Sequence, residues 1–314
     1  MPGHRRLGRL PRPLAGGLAL ALAGATLAGC AVAAAGGPGG RGDGRIQVVA
    51  AENMWGSVAA QVGGDRVDVV SIIDSPDADP HDYEPTAADG RTIAVADVLL
   101  SNGVGYDTWA ARLAAANPSS RVDLTVGDIV GVAEGQNPHR WYDPADVDRV
   151  AARLADTYAR LDPAHRSNYA QRLAAFEGPA TAGYHGLVRE IRARFAGTPV
   201  GASESIFALL APSLGLDLVT PPSFLRAISE GSGPSAADKA TIDAQIAGHR
   251  IAVYVENVQN ATPDIQVQVA EATAAGIPVA TITETMVPAT GSWQQWQSAQ
   301  LVRLRDALAT ATGR

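Results

Sequence analysis

From Arg45 onward, short apolar runs alternate with stretches whose apolar positions recur every three or four residues. Residues 46–50 (IQVVA) form a β-type run, and 53–62 have helical spacing that stops at Gly63-Gly64. Residues 67–73 predict a second strand, after which Thr86 and Asp89 stand as a capping pair opening the next helix. Residues 98–101 form a third strand ending in Asn102-Gly103, 106–116 are amphipathic, and 121–125 form a fourth strand. The pattern then turns wholly helical. Val147, Val150, Leu154, Tyr158 and Leu161 make one apolar stripe. After Asp162-Pro163 the stripe resumes as Tyr169, Leu173, Phe176, Ala180, Tyr184, Leu187, Ile191 and Phe195, every step three or four. The constant phase across Gly178-Pro179 predicts one helix kinked at the proline, about 45 Å long from His165 to Phe195.

Alternation returns beyond it, with strands expected at 199–202, 216–220, 251–255 and 278–282. Helices are expected at 206–214, from the Ser235/Asp238 cap to 249, at 263–275 and at 293–310. Such β-α alternation builds parallel sheets with helices on both faces. The chain therefore reads as α/β, with two lobes, each a parallel sheet flanked by helices, joined by a single long linking helix. The lobes span 46–145 and 197–314, and the helical region 146–196 lies between them.

The first 29 residues differ from all of this. Arg5, Arg6, Arg9 and Arg12 precede an apolar stretch that ends in Leu27-Ala28-Gly29-Cys30, the layout of a secretory signal peptide and too short for a membrane span. Leu-Ala-Gly-Cys resembles a bacterial lipobox, which makes Cys30 the lipidated first residue of the mature chain. As the only cysteine of the sequence, Cys30 also excludes an intramolecular disulfide. Residues 30–45 are rich in Gly and Ala and read as a flexible tether. Removing 29 of 314 residues leaves 285, enough for two modest domains. Loss of the four leader arginines takes the formal charge from −7 to −11, which argues against nucleic acid and favours cationic ligands.

Two stiffened loops carry the candidate chemistry. Asp79-Pro80-His81-Asp82-Tyr83-Glu84-Pro85 follows the second strand, and Asn137-Pro138-His139-Arg140-Trp141-Tyr142-Asp143-Pro144 repeats the design. Prolines fix the backbone around each imidazole, so a ligand held there loses little entropy on binding. In parallel sheets ligands bind beyond the carboxyl ends of strands, where His81 falls. His165, His185 and His249 sit on helices with mixed surroundings and read as solvated, while Trp141 and Tyr83 read as walls of the site.

With these landmarks in order, the chain resembles the zinc- and manganese-binding solute receptors of bacterial ABC importers, the ZnuA/TroA-like family. The lipobox, PHDYEPT at 80–86, Ser101-Asn102-Gly103 with Trp109, the NPHRW…DP loop, the linking helix, Val255-Glu256 and Thr283-Glu284-Thr285 cover nearly the whole mature chain. The resemblance implies a metal-ligand set drawn from both lobes: His81, His139, Glu204 and Glu284. Glu204 and Glu284 each follow a predicted strand, as such a cleft requires. Glu256 also ends a strand and reads as a supporting acid.

Two imidazoles and two carboxylates suit Zn2+ as a tetrahedron, or Mn2+ with bidentate carboxylates. In the family a glutamate at the third position often accompanies manganese. The expected function is capture of Zn2+ or Mn2+ between the lobes and delivery to a membrane ABC permease, by a monomer lipid-anchored to the outer face of the cell membrane. The alternatives are an exported zinc-dependent hydrolase, for which no HExxH motif is present, and a receptor for a metal-chelate or other small ligand on the same scaffold.

Overall fold

The computed structural model describes residues 44–75 and 83–314. The first sheet consists of β1 (Ile46–Glu52), β2 (Val67–Ile73), β3 (Val98–Ser101) and β4 (Val122–Thr125), all parallel, in the order β2-β1-β3-β4. Its helices are α1 (Asn53–Gly63), α2 (Ala87–Ala94), α3 (Thr108–Ala116) and α4 (Val126–Val130). A helical stretch follows, with α5 (Pro144–Leu161), α6 (Arg166–Ala175) and α7 (Ala182–Phe195). The second sheet has β5 (Pro199–Ala202), β6 (Asp217–Leu218), β7 (Val253–Asn257) and β8 (Val279–Ile282), again parallel, in the order β6-β5-β7-β8. Around it lie α8 (Ala211–Leu214), α9 (Pro222–Ser229), α10 (Ala236–Ala247), α11 (Pro263–Ala274) and α12 (Trp293–Thr312). This is the expected architecture of two sheets joined through a long helix. No helix of the described residues is long and apolar enough to cross a membrane.

β1 shows why its near-continuous apolar run is a central strand. Side chains alternate across a strand, so Val48 and Ala50 enter one core while Val49 and Ala51 enter another. β3 repeats the division, with Val98 and Leu100 on one side and Leu99 on the other. The Leu99 side forms a separate core with Ile73, Ile93 and Trp109. The Val48 side belongs to a larger core that continues through Trp55, Trp141, Phe176, Tyr184 and Trp293 into the second lobe. Local signals behave as read. Thr86 accepts from the Asp89 N–H while Asp89 accepts from the Thr86 N–H at 2.6 Å, and Ser235 accepts from the Asp238 N–H. Gly64 ends α1 at φ 60°, a conformation that side chains other than glycine resist.

The linking helix departs from its predicted phase. Gly178-Pro179 lies in a π-helical turn, Phe176–Ala180, between α6 and α7. Proline has no N–H to continue the ladder, and the wide turn inserts one residue. Thr181, not Ala180, therefore faces the core, and its hydroxyl donates to the Phe176 carbonyl at 2.8 Å. Steps of five and three replace the expected four and four, so Tyr184 returns to the buried face. Below the turn α6 packs on α1 and α5, and above it α7 packs on α8 and α12. The kink is where the chain changes lobes.

Other differences are local. The helix expected at 206–214 is a 3-10 turn, Ser205–Leu209, followed by α8, because Pro212 cannot donate within a continuous helix. The strand expected at 216–220 shrinks to Asp217–Leu218, and α9 follows where no element was expected. α3 starts at Thr108, which leaves Tyr106 in the preceding loop. Leu161, assigned to the apolar stripe, ends α5 and is 42% exposed.

Candidate metal site

The carboxyl ends of both sheets face one buried cluster. Glu204 follows β5 directly after Ser203, and its extended backbone precedes the 3-10 turn. Glu284 follows β8 by two residues. His139 enters from the loop before α5, where Asp143 caps the helix and Pro144 occupies its first turn. One donor atom from each of His139, Glu204 and Glu284 lies within 4.8 Å of the others, and all three residues are buried. The structure thus brings together three of the four predicted ligands, from elements far apart in sequence. His81 lies outside the described residues.

Each donor is aimed by an identifiable partner. Asn137 Nδ2 donates to the Ser205 carbonyl at 2.7 Å, which fixes the amide so that Oδ1 faces His139 Nδ1 at 2.9 Å. A carbonyl oxygen can only accept, so Nδ1 carries a proton, and Nε2 is the ring nitrogen turned toward the cluster. That Nε2 stands 3.5 Å from Glu284 Oε1. Tyr106 donates its hydroxyl to the same oxygen at 2.7 Å, joining the first lobe to a carboxylate of the second. Asn257, the last residue of β7, donates Nδ2 to Glu204 Oε2 at 2.7 Å. Under the loop, buried Asp146 accepts from Arg140 Nε at 2.6 Å and pairs with Arg149, tying His139's neighbour to α5.

The electrostatics favour a cation. Burial, and then the charge of Glu284, raise the pKa of Glu204, while His139, Asn257 and Ser229 act in the opposite direction. Close by, Glu52 is wholly buried at the end of β1. Burial first and Asp107 second push its pKa well above the ordinary carboxylate value, and Glu284 adds to this. Asp107 is raised by burial, against the amides of Asn102 and Gly103, which donate to it at 2.6 and 2.7 Å. Several acids thus sit in a desolvated pocket where a divalent ion would offset their charge.

Trp141 walls the site as expected, with its ring 5.3 Å from that of His139 and 5.1 Å from that of Tyr106. Tyr83 instead stacks on Trp109 and bonds Asp89, in the outer core of the first lobe. Glu256 is half-buried, and its neighbour Asn257, on the opposite side of the strand, is the residue that bonds Glu204. His165 pairs with Asp162 at 2.8 Å, and His249 is exposed beyond the end of α10. Sequence reasoning passed over Tyr106, Asn257, Glu52 and Asp107. Their one shared signal was position, at or just after a strand's carboxyl end.

The description zinc-uptake complex component A, periplasmic, matches residues 48–307. The chain belongs to this family. It is 28% identical over 169 residues to the metal ABC transporter substrate-binding lipoprotein SsaB of Streptococcus sanguinis, covering 49% of this chain and 53% of that one. The chain spans about half the length of the curated relatives it matches. Solved structures of the same fold include a manganese-bound mutant of a periplasmic metal-binding protein from Candidatus Liberibacter asiaticus, with a TM-score of 0.72 and 18% identity. That match covers 84% of this chain and 100% of the other. The periplasmic zinc-binding protein TroA from Treponema pallidum matches with a TM-score of 0.68 and 18% identity, covering 84% and 99%.

Proposed function

We propose that this protein is the extracytoplasmic receptor of an ABC-type importer, and that it captures Zn2+ or Mn2+ between its lobes for delivery to a membrane permease. The observation that carries this reading is the buried cluster of His139, Glu204 and Glu284, with the His139 imidazole and two carboxylates converging from both lobes. His81 supplies the fourth ligand on this reading. The names of the relatives and neighbours above, which cite a metal ABC transporter, manganese and zinc, support it. On this reading Cys30 carries the lipid anchor and residues 30–45 form the tether, Cys30 and residues up to 43 lying outside the described residues, and the lobes of 46–145 and 197–314 act as a monomer joined through 146–196.

Binding needs neutral imidazole and ionised carboxylates, so affinity falls as pH falls and protons compete with the metal. The lobes share one core and are bolted by polar bonds. Trp293 Nε1 donates to the Trp141 carbonyl at 3.1 Å, and the Gln61 and Gln294 amides pair reciprocally. Capture therefore proceeds with small adjustments at the cleft and not by wide hinge closure.

Metal content of the purified mature protein tests the reading, with wild type set against His139→Ala and Glu284→Ala. Wild type should hold one equivalent and each variant should lose it. Unchanged stoichiometry in both variants would remove the cross-lobe site.

A further inference from the structure

Asn257 holds Glu204 in a way that bears on which ion the site prefers. Its backbone is tethered and its carboxamide is held at both ends. The Asn257 N–H donates to Ser203 Oγ at 2.9 Å, and Oδ1 accepts from the Gln259 N–H at 3.1 Å. The NH2 end is thereby turned onto Glu204 Oε2 at 2.7 Å, with Asn257 wholly buried. Glu204 Oε1 is buried and makes no hydrogen bond among the described residues. One oxygen of this carboxylate is committed to the protein and the other is left for a ligand. The same turn reaches the second carboxylate's loop: Gln259 Oε1 accepts from the Thr285 N–H at 2.9 Å, and its Nε2 donates to Thr285 Oγ1 at 2.7 Å.

We infer that Asn257 is a specificity-determining residue, which restricts Glu204 to single-oxygen ligation and so biases the site toward a four-coordinate ion, zinc, over six-coordinate manganese. The inference rests on the metal-receptor reading above. Manganese reaches its preferred octahedral shell in a four-residue site by taking both oxygens of its carboxylates, and Asn257 occupies one of them. A glutamate at position 204 taken alone suggested manganese; the carboxamide behind it reverses that weight.

The test is a competition titration of zinc and manganese on wild type and Asn257→Leu, which keeps the volume and removes the donor, together with X-ray absorption of each loaded protein. In Asn257→Leu the preference for zinc over manganese should narrow about tenfold, within the range for loss of a ligand's hydrogen-bond partner. The manganese shell should gain one oxygen. Equal weakening of both metals would reduce Asn257 to a simple brace and overturn the inference. If the variant does not fold, the wild-type zinc spectrum decides: four light-atom neighbours support the inference, and a bidentate carboxylate overturns it. A wild type that binds neither ion would overturn the receptor reading and this inference with it.

Discussion

The two sheets share one strand order, with the second strand of each outside the first and then the third and fourth on the other side, yet they serve the site differently. The first lobe presents an imidazole, His139, and keeps its own acids, Glu52 and Asp107, buried. The second lobe presents the carboxylates Glu204 and Glu284; the Asn257 carboxamide donates to Glu204, and the Gln259 carboxamide holds Thr285, the neighbour of Glu284. A carboxamide donor orients a carboxylate without supplying a formal charge of its own. The lobes also differ in packing. The first has an outer core of its own around Leu99 and Trp109, while its inner face and the second lobe share a single core. One topology can therefore supply opposite halves of a site, because strand order fixes where a side chain emerges and not what it is.

The shared core gives the largest expected effect. Trp293 is fully buried at the lobe junction against Tyr184 and Phe176. Trp293→Ala should cost about 3–5 kcal/mol and keep one cooperative transition by calorimetry. Two separate transitions would show that the lobes are energetically independent and break the comparison. A smaller effect concerns the bond that crosses the cleft. Tyr106→Phe should weaken metal binding about tenfold, read by competition with a chromogenic chelator, with the melting temperature of the metal-free protein nearly unchanged.

The smallest effect tests the buried acids of the first lobe. A carboxyl whose pKa is raised in the folded state contributes stability below its unfolded value, and that contribution is lost as pH rises through the folded value. Glu52, Asp107 and Glu204 are all raised. The metal-free protein should therefore lose stability from this source as pH climbs from the ordinary carboxylate range toward neutrality. Glu52→Gln removes one such group and should flatten the dependence of melting temperature on pH. An identical pH profile in the variant would show that Glu52 does not titrate against the fold.

Much of this molecule was legible in the order of its residues. Period-two and period-3.6 patterns are local, so all eight strands and most helices fell where apolar spacing put them, and the caps at Thr86 and Ser235 formed from residues three apart. The loop prolines marked His139, and the family resemblance implied Glu204 and Glu284, whose places just beyond β5 and β8 agree with a cleft at the strands' carboxyl ends. Where local rules competed, sequence misread the outcome. Apolar phase alone favoured Ala180, but the backbone answered Pro179 with a wide turn that buried Thr181 instead. What only the tertiary structure decided is which residues, 53 or 178 positions away, hold an oxygen of each carboxylate. Hydrogen-bond partners such as Tyr106–Glu284 and Asn257–Glu204 depend on how two sheets pack, and side-chain spacing along the chain carries no record of that packing.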